Sequence, residues 1–409
     1  MSTPEPPQRA AKAHLHLTGS EHAVTNLELF FDLVFVFALT QVTALIAADL
    51  TPLGMLRGVL VLAVMWWSWV GYSWLTNFVR ADDGAARFLL ITVMGVMMVM
   101  ALAIPEAFRD TGEPRTIGAL VFALGYLAVR AVHIALFALA GRGDPGLLGT
   151  LVRFSLPTAL GVGLIIAAVF TSGPWQLGLW LAGLAVDLIG VLVIDSGGWR
   201  LNSPSHFAER HSLIIIIALG ESIVAIGAGM AGMPLTWPAL LAAILGMVVV
   251  ISLWWSYFDY VSTVAERTLA GKEGAERTAL ARDAYTYLHF PMVGGIVLVA
   301  LGLKKALAKA AESTAFGEVH SLPDIALWCM CAGVAAYLCA HVAFRWRNTH
   351  TWGLQRPLAA GAVLIVPLAL REQNSLLQVG AVGLVLVVLV AYESARLREM
   401  RTQLRHADH

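Results

Sequence analysis

ELFFDLVFVFALTQVT, residues 28 to 43, is an apolar helical run with an acid, Asp32, inside it. At about 100° per residue, Glu28, Asp32, Leu39 and Thr43 fall on one stripe of the helix. A carboxylate within a membrane-length apolar segment is costly to bury, so it marks a functional position and requires a partner elsewhere in the chain. The rest of the sequence is built of similar runs. Of its 409 residues 58% are hydrophobic and 13% charged, against roughly 25% charged in soluble domains. That balance describes an all-α polytopic membrane protein embedded in a lipid bilayer. Lys+Arg 27 against Asp+Glu 27 gives no net charge and no reason to expect a nucleic-acid partner.

About twelve spans fit the roughly 20 residues that cross a hydrocarbon core. The first six are Leu27–Ala48, Met55–Val79, Arg87–Pro105, Thr116–Ala140, Thr150–Thr171 and Trp175–Ile194. The second six are His206–Met230, Trp237–Val261, Arg282–Lys305, Pro323–Arg345, Leu354–Leu370 and Ser375–Arg396. Residues 1–26 are polar, carry Pro4, Pro6 and Pro7, lack a signal-peptide pattern, and are expected to be a disordered cytoplasmic tail. The helical halves are 27–195 and 206–397, joined by a linker at 196–205 and followed by a tail at 398–409. With the N-terminus inside, Arg80, Arg87, Arg142, Arg153, Arg200, Arg267, Arg277, Arg345 and Arg356 all fall in inside connections. This positive-inside pattern predicts a multi-pass inner-membrane protein with both termini cytoplasmic. Lys304, Lys305 and Lys309 depart from it.

The halves resemble each other. WWSWVGY at Trp66 recurs as WWSYFDY at Trp254, FALTQ at Phe37 as IALGE at Ile217, and Tyr126-Leu127 as Tyr337-Leu338. The matches keep their order. Six spans per half give both halves one orientation, as in parallel-repeat transporters. The tryptophan pairs are expected to pack between helices.

Chemistry is expected where polar side chains fall inside spans. Asp32, Asp187 and Glu221 are the acids, and Arg130 is the base near a midplane. Glu221 lies nine residues into the apolar run that starts at Ser212, roughly 14 Å deep at 1.5 Å per residue. The repeat alignment sets Gln41 opposite it. Glu221 reads either as an ion- or proton-carrying carboxylate or as a hydrogen-bonded link between helices. Arg130 is expected to pair with Asp187 or Glu221. Three acids against one base favour a small cation or proton as the passing species. Glu28, His206, Glu209, Arg210 and His211 collect at the cytoplasmic mouth. His289 is expected near a membrane end, solvated or capping. His206 and His211 are about 140° apart on a helix, unlike the i,i+4 spacing of zinc ligands. Cys329, Cys331 and Cys339 share one apolar run and read as packing residues. No metal or other cofactor is expected. No phosphate-cradling loop, HExxH or GxSxG is present.

ELFFDLVFVFALTQVT, HFAERHSLIIIIALGES from His206, the aromatic stretch from Trp254 to Asp259, and YLHFPMVGGIVLVALG from Tyr287 together resemble the bacterial low-temperature-requirement A (LtrA) family across the whole membrane region. The resemblance implies a multi-pass inner-membrane protein without a settled activity. It carries over Glu28, Phe31, Asp32, Gln41, His206, Glu209, Arg210, Gly220, Glu221 and His289 as motif positions without fixed roles. Phe30-Phe31-Asp32 also looks like the Phe-Ser-Asp motif of potassium channels built from six-helix repeats. Phe31 replaces the serine, and the second half has His211-Ser212-Leu213 without an acid, so only the layout is implied.

The expected function is a cation or proton channel or transporter whose intramembrane acids line the path. The alternative is an integral-membrane enzyme acting on a lipid or prenyl-type substrate, with Asp32 and the mouth residues as its chemistry. A scaffold has little surface outside the bilayer to work with. A homo-oligomer is compatible with either function.

Overall fold

The computed structural model describes residues 23–81, 84–108, 117–193 and 199–396; the expected tails lie outside these segments except for residues 23–26, where Thr25 caps and Asn26 opens the first helix. Fourteen α-helices occur among the described residues. The first half holds α1 (Asn26–Ala48), α2 (Pro52–Phe78), α3 (Gly84–Ala103), α4 (Gly118–Ala140), α5 (Pro145–Ala168) and α6 (Gly173–Val193). The second half holds α7 (Pro204–Gly229), α8 (Trp237–Phe258), α9 (Val261–Ala270), α10 (Gly274–Leu280), α11 (His289–Ala311), α12 (Asp324–Thr349), α13 (Gln355–Ala369) and α14 (Ser375–Arg396).

Local sequence sets the helix starts. The Thr25 hydroxyl accepts from the Glu28 backbone N–H, and the Glu28 carboxylate accepts from the Thr25 N–H, a reciprocal cap on α1. Thr51, Asp144 and Thr236 cap α2, α5 and α8 with side-chain oxygens, each followed by a proline in the first turn. Eleven helical segments are long and apolar enough to span a membrane. The twelfth, α13, has 15 residues, about 22 Å of helix.

The segment between α8 and α11, read from sequence as a charged loop, is helical. It forms α9 and α10, and a π-helical turn at Ala281–Tyr287 leads into α11. α9 buries Val261, Ala265 and Leu269 along one face.

The halves share an order of neighbours. α1 packs on α2 and α3, α3 on α4, α4 on α5, and α5 on α6. In the second half α7 packs on α8 and α11, α11 on α12, α12 on α13, and α13 on α14. α6 also returns to α2, as α14 returns to α8. The halves meet where α1 lies against α7 and α11. Two crossings depend on glycine. A Cβ on Gly161 would sit 2.7 Å from the Gly183 carbonyl, joining α5 to α6. A Cβ on Gly295 would sit 2.5 Å from the Gly333 carbonyl, joining α11 to α12. Small residues let backbones approach where lipid offers no hydrophobic drive between helices.

The outer surface is apolar, with Phe88, Leu156, Leu358 and Leu368 exposed. Trp66 and Trp67 are buried as expected, but Trp254 and Trp255 are 42% and 39% exposed. These two face outward instead of packing between helices.

Candidate functional site

The acid stripe of α1 finds its base on α7. Arg210 donates to Asp32 Oδ1 at 2.7 Å and lies 3.1 Å from Glu28 Oε1. His206, one turn earlier on α7, places Nε2 3.0 Å from the same Glu28 oxygen. Trp69 of α2 donates its indole N–H to Asp32 Oδ1 at 2.8 Å, and the Arg210 guanidinium lies 5.5 Å from the Trp69 ring centroid. Glu28, Asp32, His206 and Arg210 are all buried. Asp32 Oδ2 and Arg210 Nε are buried without a hydrogen-bond partner. Glu28 therefore does more than favour a helix N-terminus. It caps α1 and ties α1 to α7.

A second pair forms inside the first half. Arg130 of α4 donates to Asp187 of α6 at 3.0 Å and to the Thr158 hydroxyl of α5 at 2.9 Å. Thr158 donates onward to Asp187 Oδ1 at 2.9 Å, and Tyr126 donates to Asp187 Oδ2 at 2.8 Å. Of the two partners open to Arg130 in the sequence, the structure selects Asp187.

Glu221 has different company. Its carboxylate accepts a short hydrogen bond from the Thr40 hydroxyl of α1. Thr43 also reaches it, and the Lys304 ammonium acts on it electrostatically. Among the described residues no ion pair holds it. Gln41, beside Thr40 in the chain, is half-buried. Eleven residues of α7, about 16 Å, separate Glu221 from Arg210. Phe35, Ala38, Leu39, Ile214, Ile215 and Ala218 fill that interval and are fully buried.

Three features depart from the sequence reading. Arg356, counted among inside-loop charges, is buried and donates to both oxygens of Glu393 at 2.9 and 3.0 Å. It also contacts His341 Nδ1 and donates to the Ser256 carbonyl. His289, expected near solvent, is fully buried, with Nε2 2.9 Å from the Tyr257 hydroxyl and its ring stacked on Tyr285. The helical segment leading into α11 covers it. Glu209 is exposed, accepting from the Val24 N–H at 3.3 Å, and does not join the cluster. His211 is buried against Phe207 and His289.

The charge balance changes accordingly. Five carboxylates and three guanidiniums are buried among the described residues. Arg130, Arg210 and Arg356 engage Asp187, the Glu28–Asp32 pair and Glu393 respectively, which leaves Glu221 as the acid outside these ion pairs. The Glu28–Arg210 cluster borders a void of about 10 Å³, too small for a substrate. No group of His, Cys, Asp and Glu among the described residues is arranged to hold a metal ion.

The family model for the bacterial low temperature requirement A protein (LtrA) matches residues 23–392. An uncharacterized protein of Rhizobium meliloti (strain 1021), RA0937, is 31% identical over 319 residues, which cover 73% of this chain and 74% of that one. No solved structure matches.

Proposed function

The chain belongs to the bacterial low-temperature-requirement A family, and from that premise we propose that it moves protons or a small cation across the membrane on the Glu221 carboxylate. One observation carries this reading. Glu221 is buried, yet hydroxyl groups hold it, whereas each other buried carboxylate is fixed by an arginine. A carboxylate beside a guanidinium keeps its charge and its place. One held by hydroxyls can take up a proton or a cation and give it back, because threonine can donate to the anion or accept from the acid.

Asp32 and Asp187 are then fixed counterions that shape the bundle. The packed interval between Glu221 and Arg210 describes a closed route, and passage requires α1 and α7 to part there. Arg210 sits at the point where the two helices are tied. The charge pattern of the connections supports cytoplasmic placement of the end where α1 and α7 begin, in the inner membrane. The matched order of helix neighbours supports a duplicated six-helix ancestor.

The test is flux in proteoliposomes under proton, potassium and sodium gradients, comparing wild type with Glu221→Gln. The expected result is a selective flux in the wild type that falls at least tenfold in the variant, with the melting temperature unchanged. Equal flux in both proteins overturns the proposal. If no gradient drives flux at all, the lipid or prenyl enzyme becomes the leading alternative. Comparison of lipid extracts from cells with and without the protein, grown in the cold, tests it.

A further inference from the structure

A cleft of about 70 Å³ opens between the first half and the segment that leads into α11, and Glu221 does not line it. Trp67 and Trp74 of α2, Arg130 and His133 of α4, Phe154 of α5, and Trp199 line most of it. Its surface is mainly apolar, yet three of these side chains carry a buried polar atom without a hydrogen-bond partner: Trp67 Nε1, Arg130 Nε and His133 Nδ1. The neighbouring indoles show how unusual that is. Trp66 donates to the Thr286 carbonyl, Trp69 to Asp32, and Trp74 to the Thr286 hydroxyl. Of these four tryptophans on one helix, only Trp67 keeps an idle N–H.

The three residues stand on neighbouring turns of α2 and α4. His133 Nε2 lies 3.0 Å from the Gly71 carbonyl, across the contact between α2 and α4. A Cβ on Gly71 would come within 3.2 Å of that nitrogen, so the glycine permits the approach. The two helices run in the same direction. Trp67 is one turn before Gly71 and Arg130 one turn before His133, so both fall about a turn, roughly 5 Å, before that contact, and both line the cleft. The carbonyl of Gly71 can only accept, so His133 Nε2 carries the proton and neutral Nδ1 is an acceptor. Two donors and one acceptor without partners thus belong to residues that line the cleft.

We propose that this cleft binds the head group of an amphiphilic carboxylic acid. The two acid oxygens accept from Trp67 and Arg130, and the O–H of the protonated acid donates to His133. The rim favours the anion on approach. Arg282, which also lines the cleft, shares Asp283 with Arg347, so two cations face one carboxylate there. A cationic amphiphile meets the excess positive charge at Arg282, and an alcohol has only one oxygen for two donors. The volume limits the enclosed part. A dry cavity of about 150 Å³ holds one benzene ring, so this smaller one takes a head group while an aliphatic body leaves through the mouth along the tryptophan wall. Buried donors without partners are costly, and a ligand that accepts from them offsets that cost.

The experiment is equilibrium binding of radiolabelled decanoate to the full-length protein in phosphatidylcholine nanodiscs, with empty nanodiscs subtracted. Unlabelled decanoate, decanol, decyltrimethylammonium and decyl phosphate compete in parallel. The expected result is saturable decanoate binding, displaced at least tenfold more readily by decanoate than by the alcohol or the cation. Trp67→Phe keeps the ring and removes the N–H, and it should weaken binding about tenfold at unchanged melting temperature. No saturable binding overturns the proposal, as does equal displacement by decanol. A stronger effect of decyl phosphate moves the site to phosphate head groups and overturns the carboxylic class. If Trp67→Phe does not fold, the wild-type competition order decides alone.

Discussion

Each half of the molecule closes its last three helices with a buried clasp of one arginine and one acid, and the two clasps are assembled differently. In the first half the arginine is on α4, a threonine on α5 and the acid on α6: Arg130, Thr158 and Asp187. In the second half a histidine is on α12, the arginine on α13 and the acid on α14: His341, Arg356 and Glu393. The arginine stands on α4 in one clasp and on α13 in the other, while the acid is on the last helix in both. α5 and α13 also each carry an interior proline, Pro157 and Pro367. Depth differs more than composition. Arg130 lies ten residues from the end of α4, about 15 Å, whereas Arg356 is the second residue of α13. One clasp sits mid-span and the other near the helix ends, although both are buried.

That difference makes the first clasp the more fragile. Arg130→Met leaves Asp187 as a lone charge inside the bundle, and the expected loss is about 3–5 kcal/mol, the usual cost of breaking a buried pair from one side. Thermal unfolding in detergent would read it. The double variant Arg130→Met with Asp187→Leu should recover most of that loss, because an apolar pair of similar volume replaces a buried ion pair at little net cost. A double variant as unstable as the single one would mean that the clasp is more than its charges. Arg356→Met, near the end of its helix, should cost about 1.5–3 kcal/mol. Should Arg356→Met prove as damaging as Arg130→Met, depth is not what separates the clasps.

The same depth decides what could be read from sequence. Glu28 and Asp32 share a stripe with about a turn between them, and Arg130 and Asp187 are ionisable groups deep in apolar runs, so the cost of burying them marks them out. Glu221 is legible for the same reason. Arg356 and Glu393 fall within three residues of span ends, where an arginine reads as a topology signal and an acid as part of a tail. Only the packing of α12, α13 and α14 shows them buried. The Asp32–Arg210 contact was hidden differently. Its residues stand 178 apart in the chain, and no local pattern relates α1 to α7. His289 misleads because the π-helical turn and α10 extend α11 beyond its apolar run. The run alone puts the histidine at a membrane edge.

The smallest effect isolates the threonine. Thr158 accepts from Arg130 and donates to Asp187, so it bridges charges that already touch. Thr158→Val keeps the shape and removes the bridge. The ion pair at 3.0 Å remains, and Tyr126 still donates to Asp187, so the charge stays satisfied. The expected cost is then that of one hydrogen bond between membrane helices, about 0.6–1 kcal/mol, seen as a small drop in melting temperature. This position is also where the comparison between the halves is sharpest, because α13 offers its arginine where α5 offers only a hydroxyl. A loss from Thr158→Val close to that from Arg130→Met would show the hydroxyl to be a full member of the clasp. The fifth helix would then be indispensable in both halves. A loss near zero would leave the first clasp as a direct tie between α4 and α6, with α5 held mainly by the glycine crossing at Gly161 and Gly183.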